Sequence, residues 1–190
     1  MMIKKIFILT VLLFYSRYTS FVQDSEGILW TPEIKLTWDD FKGTSQEELK
    51  YKTAETTTLI KIDSVYLDKN KVPVFRLGCY FITNESWTIT SEDVALEHEQ
   101  IHFDISELYA RKIRKAFDSL NRKRIKDYNV YNLKFNGILD ECEKYQECYD
   151  SDIYGTNEDV EFYDLEKQKK WMYSVKDQLD KLRDYQYFYR

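Results

Sequence analysis

The chain has 190 residues, with 28 Lys+Arg against 33 Asp+Glu and a formal net charge of -5 at pH 7. That balance gives no electrostatic reason to expect nucleic acid or an anionic membrane surface as partner, which sets aside functions that depend on a basic face. With 43% hydrophobic and 16% aromatic residues the chain can bury one sizeable core, and its five Gly and two Pro leave no flexible linker, so a single soluble domain is expected.

The first element is a leader. "MMIKK" is basic, and Ile6 to Tyr15, "IFILTVLLFY", is an apolar run of signal-peptide length, too short to span a bilayer. Residues 1–22 are expected to be an export signal, with Ser20 and Val22 as the small-side residues at the cut, and residues 23–190 one mature domain. The expected location is the periplasm or exterior of a bacterium, with no stable membrane span after cleavage. No cysteine follows the apolar run closely enough for lipid attachment.

In the mature chain, "LTWDDFKG" (Leu36 to Gly43) predicts a short strand or turn pinned by Trp38 and Phe41. Thr56 to Leu67 is rich in β-branched residues, Asp68 to Lys71 reads as a turn, and Val72 to Thr83 is a second strand, so a β-hairpin is expected. Pro73 suggests an edge or a strand end, because proline cannot donate to a ladder. Thr90 or Ser91 is a candidate N-cap for a helix running to about Leu120, with Glu92 and Asp93 in its first turn. A second helical stretch covers Leu133 to Tyr149, and Tyr149 to Asp159 reads as a loop. Val160 to Tyr185 reads as a last helix, with Phe162, Leu165, Met172, Val175, Leu179 and Leu182 as its buried face. Of the three cysteines, Cys142 and Cys148 could bridge in a loop, but on an unbroken helix they would lie about 9 Å apart, too far for a disulfide. Their spacing matches no zinc-ribbon pattern.

The first long helix carries the chemistry. "LEHEQIHFDISELYARKIRKAF" (Leu96 to Phe117) holds the only two histidines of the chain, His98 and His102, with Glu99 directly after the first. At about 100° per residue, His98, Glu99, His102, Ser106 and Tyr109 share one face, and Ile113, Ala116 and Leu120 continue it as an apolar stripe. Glu97, Asp104, Glu107, Arg111, Arg114 and Lys115 fall on the opposite, solvent-directed side, with Glu107 and Arg111 at ion-pair spacing. The imidazoles therefore point inward. H-E-x-x-H suits zinc because histidines one turn apart can place two ring nitrogens on one ion, about 2.0–2.1 Å away, with room for a third ligand and a water. The glutamate beside the ion is placed to act as general base. His98 and His102 are the expected ligands and Glu99 the expected base.

With "LTWDDFKG", "ITNESW", "LEHEQIHFDISELYARK", Tyr149-Asp150 and "KQKKW" (Lys167 to Trp171) in view, the chain resembles a bacterial family described as predicted secreted zinc-dependent proteases. The resemblance spans essentially all of the mature chain and implies a zinc peptidase acting on a peptide or protein substrate. Family members carry a Y-D-x-x-T-x-H-G segment after the helical hairpin, whose histidine is the natural third ligand. Here Tyr149 and Asp150 match, but Ile153 stands at the Thr position and Gly155 at the His position. With no other histidine, the third ligand must be a carboxylate, a thiolate or a phenolate, or be absent. Asp150 is preferred and Asp152 stands beside it in the corresponding segment, while Glu141 and Glu143 on the preceding helix are the alternatives. Tyr154 would donate to a developing oxyanion if it faces the site, with packing as its ordinary alternative. The strand Val74 to Ile82 would serve as an edge for an extended substrate, or as a core strand.

The expected fold class is α+β, zincin-like, with a small antiparallel sheet or hairpin packed on the histidine helix and on further long helices. The expected function is a secreted zinc metallopeptidase with Glu99 as base and His98, His102 and Asp150 as ligands. A catalytically inactive secreted binding or structural protein on the same scaffold is the alternative.

Overall fold

The computed structural model describes residues 27–45, 52–157 and 160–187, with side chains described for all of these except 154–163. The leader expected over residues 1–22 lies outside the described residues. The architecture is α+β, with small antiparallel sheets and three long helices. In chain order come β1 (Gly27–Leu29), a 3-10 turn (Trp38–Asp40), β2 (Ala54–Glu55), β3 (Thr58–Leu67), β4 (Pro73–Ile82) and β5 (Trp87–Thr88). The helix α1 (Asp93–Arg122), α2 (Tyr128–Ile153), the strands β6 (Tyr154–Asn157) and β7 (Val160–Tyr163), and α3 (Leu165–Lys181) follow. No described helix is long and apolar enough to cross a membrane.

The expected hairpin is present. β3 pairs antiparallel with β4, with Ile60 opposite Cys79 and a register shift between Ile62 and Ser64. Its turn is organised by Asp68, whose Oδ1 accepts from the amides of Asn70 and Val72, both at 2.8 Å. β1 adds to the other side of β4, so the order is β1-β4-β3 and β4 is central. Of the two roles expected for Val74 to Ile82, the core strand holds where β1 covers Tyr80–Ile82, while among the described residues no strand pairs with Val74–Gly78 on that side. Leu77, Cys79 and Phe81 are buried beneath α1, and β1 and β3 are the outer strands. Pro73 opens β4, where a missing donor costs little.

The turn at Trp38 shows why its glycine is there. Gly43 donates to Ser86 O at 2.8 Å, and a Cβ at this residue would stand 2.8 Å from that same oxygen. Trp38 packs on Phe41, and Phe41 on Phe81, each with ring centroids 5.0 Å apart, which ties the turn to the sheet.

Helix α1 starts at Asp93 with Glu92 as N-cap, slightly later than the Thr90 or Ser91 expected. It is central. The sheet, α2 and α3 all pack on it, so it is buried nearly all round between His98 and Ile113. On the side expected to face solvent Glu97 and Lys115 do so, but its middle is a correction: Glu107 is 1% and Arg111 3% exposed. Glu107 accepts from Arg111 Nε at 2.9 Å and from Arg114 Nη1 at 2.9 Å. The two guanidinium groups also donate to the Leu179, Leu77 and Tyr185 carbonyls, at 2.7, 2.9 and 2.9 Å. The cluster thus satisfies its own charges in the interior, where an unpaired one would be costly.

Helices α1 and α2 form an antiparallel hairpin. Ring contacts step Phe117 onto Tyr131 at 5.1 Å and Tyr109 onto Tyr145 at 5.6 Å. α2 begins before Leu133 and runs past Tyr149 to Ile153, so the loop expected there is replaced by a last helical turn and the β6–β7 hairpin. Tyr149 and Ile153, both fully buried, explain why the helix continues. Cys142 and Cys148 both lie in α2, and all three cysteines are free. The last helix starts at Leu165, capped by Asp164 Oδ1 on the Lys167 amide at 3.0 Å, rather than at Val160. Val175 and Leu179 are buried as expected, whereas Leu165 and Met172 are exposed and Gln168 takes the buried position instead. The side chain of Phe162 is outside the described residues.

Candidate metal centre

Two turns of helix meet at one point. His98 and His102 project from α1 and Asp150 from the end of α2, and their ligand atoms all lie within 4.8 Å of one another. The two imidazole Nε2 atoms are 3.0 Å apart, and Asp150 Oδ1 stands 3.2 Å from that of His98 and 2.8 Å from that of His102. His98 is 1% exposed. Three electron-pair donors this close repel one another unless a cation lies among them, either a proton or a metal ion. A tetrahedral zinc ion holds N and O ligands about 2.0–2.2 Å away and hence about 3.3 Å from each other, so these spacings fit zinc with little rearrangement.

The surroundings fix each ring. His102 Nδ1 lies 2.5 Å from Gln146 Oε1, and an amide oxygen can only accept, so Nδ1 carries the proton and Nε2 is the bare atom of the neutral ring. Gln146 is held in turn by donating to His102 O at 2.9 Å and Ser106 Oγ at 3.1 Å. Ser106 Oγ is itself 2.7 Å from Thr58 Oγ1 on β3. His98 stacks on Tyr149 with centroids 4.7 Å and planes 22° apart.

The titration of the cluster reflects the same contacts. Burial lowers the His98 pKa, only partly offset by its bond to Asp150. Burial also opposes charge on His102, but its bond to Asp150, with Glu99 nearby, outweighs that and raises its pKa. Asp150 is held well below the usual carboxylate range, because its bonds to both histidines outweigh the effect of burial.

Glu99, 3% exposed, lines the same cleft, about 480 Å³ in volume, and its buried Oε2 has no hydrogen-bond partner. An orphaned carboxylate oxygen beside converging ligands is what an attacking water would satisfy. Thr56 to Thr58 line the opposite wall, and Thr56 Oγ1 contacts Glu99 O at 3.4 Å. A slightly larger cleft, about 510 Å³, lies by Tyr66, Arg114 and Tyr185 and holds no such ligand group.

The other carboxylates expected as third ligands do not join the cluster. Asp152 is turned to α3, accepting from Trp171 Nε1 at 2.8 Å and pairing with Lys167 Nζ at 3.1 Å. Glu141 is exposed on α2, and Glu143 lines the cleft without reaching the ligand group. The side chain of Tyr154 lies outside the described residues. The Q-x-x-W pair has a supporting role. Gln168 Nε2 donates to Val94 O at 3.1 Å in the first turn of α1, and Trp171 packs on Tyr149 at 5.3 Å.

Sequence reasoning missed Gln146. The signal existed in its spacing, four residues before Asp150, but it is visible only if the helix runs on through Asp150. Replacing Gln146 with Leu is expected to weaken zinc affinity about 10–100-fold by releasing the His102 tautomer, read by competition with a chromogenic chelator. Unchanged affinity would show that packing alone orients the ring.

No protein-family model, curated protein or solved structure matches this chain significantly.

Proposed function

We propose that this protein is a zinc-dependent metallopeptidase of zincin-like fold, exported by a bacterium. One observation carries the reading: His98, His102 and Asp150 converge at the cleft in which Glu99 holds an unpartnered buried carboxylate oxygen. A site that only stored metal would have no use for that base.

In this reading His98, His102 and Asp150 would hold the ion, with Asp150 taking the role of the histidine in the family pattern. Zinc supplies Lewis acidity and a water whose pKa is lowered to about 7. Glu99 would accept a proton from the water attacking the substrate carbonyl and hand it to the leaving amine. The edge strand β3, whose first residue Thr58 lines the cleft, is the element against which an extended peptide backbone would lie. Gln146 keeps the His102 nitrogen bare throughout.

The test is metal content by mass spectrometry on untagged protein from residue 23 onward, followed by cleavage of a peptide library. About one zinc per chain with peptide hydrolysis is the expected result. No zinc after incubation with the ion at neutral pH would end the proposal, and zinc without hydrolysis would favour a binding role for the scaffold.

A further inference from the structure

We infer that the cleft binds polypeptides through a lysine or arginine side chain lying beside the reacting position. This rests on the peptidase reading of the same site and adds the class of substrate.

The α2 wall of the cleft is a row at helical spacing, Glu143, Gln146, Glu147 and Asp150, so all four face the same space. Glu55 on β2 faces it from the other wall. Glu143 and Glu147 are exposed like charges four residues apart, an arrangement that destabilises a helix unless something cationic sits against it. Three other helical carboxylates have a partner on their own helix: Asp118 pairs with Arg122, Glu166 with Lys169 and Asp177 with Lys181. Glu97, Glu141 and Asp180 are exposed outside the cleft and in no ion pair among the described residues; Glu143 and Glu147 differ from these in lining the cleft together. No ion pair among the described residues includes Glu143 or Glu147.

The charges of the site leave the same two groups over. A divalent ion would be balanced by Asp150 and Glu99, and Lys52 pairs with Glu55 at 3.9 Å. Glu143 and Glu147 remain at the mouth of a cleft of about 480 Å³, room for a side chain beside a peptide backbone. Buried Glu99, with its unpartnered Oε2, opens into the same cleft, so the reacting position and the two glutamates share one space. An approaching cation gains from both glutamates, and an anionic side chain is repelled by both.

The experiment compares two fluorogenic peptides of equal length, one with arginine and one with glutamate on either side of a common cleavable core. Zinc-loaded protein is expected to prefer the arginine peptide about tenfold or more in kcat/KM at low salt, and less as salt screens the charges. The double variant Glu143→Gln, Glu147→Gln is expected to bring the ratio close to one while keeping its zinc. In parallel, fluorescence anisotropy on zinc-loaded Glu99→Gln protein measures binding of the same peptides. Tighter arginine-peptide binding without cleavage by the native chain would sink the peptidase reading and leave this inference standing. Equal or reversed preference, or no binding of either peptide, overturns it. So does a second zinc per chain that the double variant loses, since the glutamates would then be metal ligands.

Discussion

Zinc-loaded protein carrying Glu99→Gln is expected to keep its ion and to hydrolyse peptides about 10²–10⁴-fold more slowly than the native chain. The substitution keeps the shape of the side chain and removes only its capacity to take a proton. Glu99 is absent from the converging ligand group, so affinity for zinc should change little. His102→Ala is the contrasting variant. It removes one of the converging nitrogens and the partner of both Asp150 and Gln146, and it is expected to lose zinc and hydrolysis together. Metal content and initial rates on the same preparations separate the two outcomes. A Glu99→Gln protein as active as the native chain would mean that another group is the base.

A second large effect concerns stability. Glu107→Ala leaves Arg111, 3% exposed, and the largely buried Arg114 without their shared carboxylate. Breaking a buried ion group by removing one partner costs on the order of 3–5 kcal/mol, against a total of about 5–15 kcal/mol for a domain. For a chain of this size that corresponds to a fall in Tm of about 6–20 °C by calorimetry. Replacing Glu107, Arg111 and Arg114 together with apolar residues of similar volume should be less damaging than the single change, because no charge is then stranded. A loss below about 1 kcal/mol in Glu107→Ala would mean that water reaches the guanidinium groups.

The same cluster shows where sequence reasoning reached its limit. Periodicity places His98, Glu99, His102, Ser106 and Tyr109 on one face because helical geometry is rigid, and these residues are indeed turned inward. Periodicity also assigned Glu107 and Arg111 to water, since a charged residue opposite an apolar stripe ordinarily belongs there. That inference assumes a helix packed on one side only. α1 is packed on three, and nothing local in a sequence reports how many neighbours a helix will have. Asp150 was chosen by correspondence with a family segment and does lie beside both imidazoles, but on a helix rather than in a loop. Beyond Tyr149 the segment Ser151 to Asp152 is polar, so the helix there follows from tertiary contacts, the burial of Ile153 and the Asp152 links to Lys167 and Trp171. The Leu165 and Met172 misassignment has a similar origin. With β7 occupying Val160–Tyr163, the last helix starts later and buries the face centred on Gln168, Val175 and Leu179.

The α1–α2 hairpin is joined at one end by residues 123–127, while His98 and Asp150 face each other at its open end. The connection closes one end of this pair of rods, and at the other the bonds of Gln146 to His102 and the stacking of Tyr149 on His98 hold the tips together. An ion shared by His98, His102 and Asp150 would add a latch across those tips, at the corner where the Asp164 amide bonds back to Ile153 O. Metal occupancy and the resistance of the carboxyl-terminal third to digestion would then be one equilibrium seen from two sides.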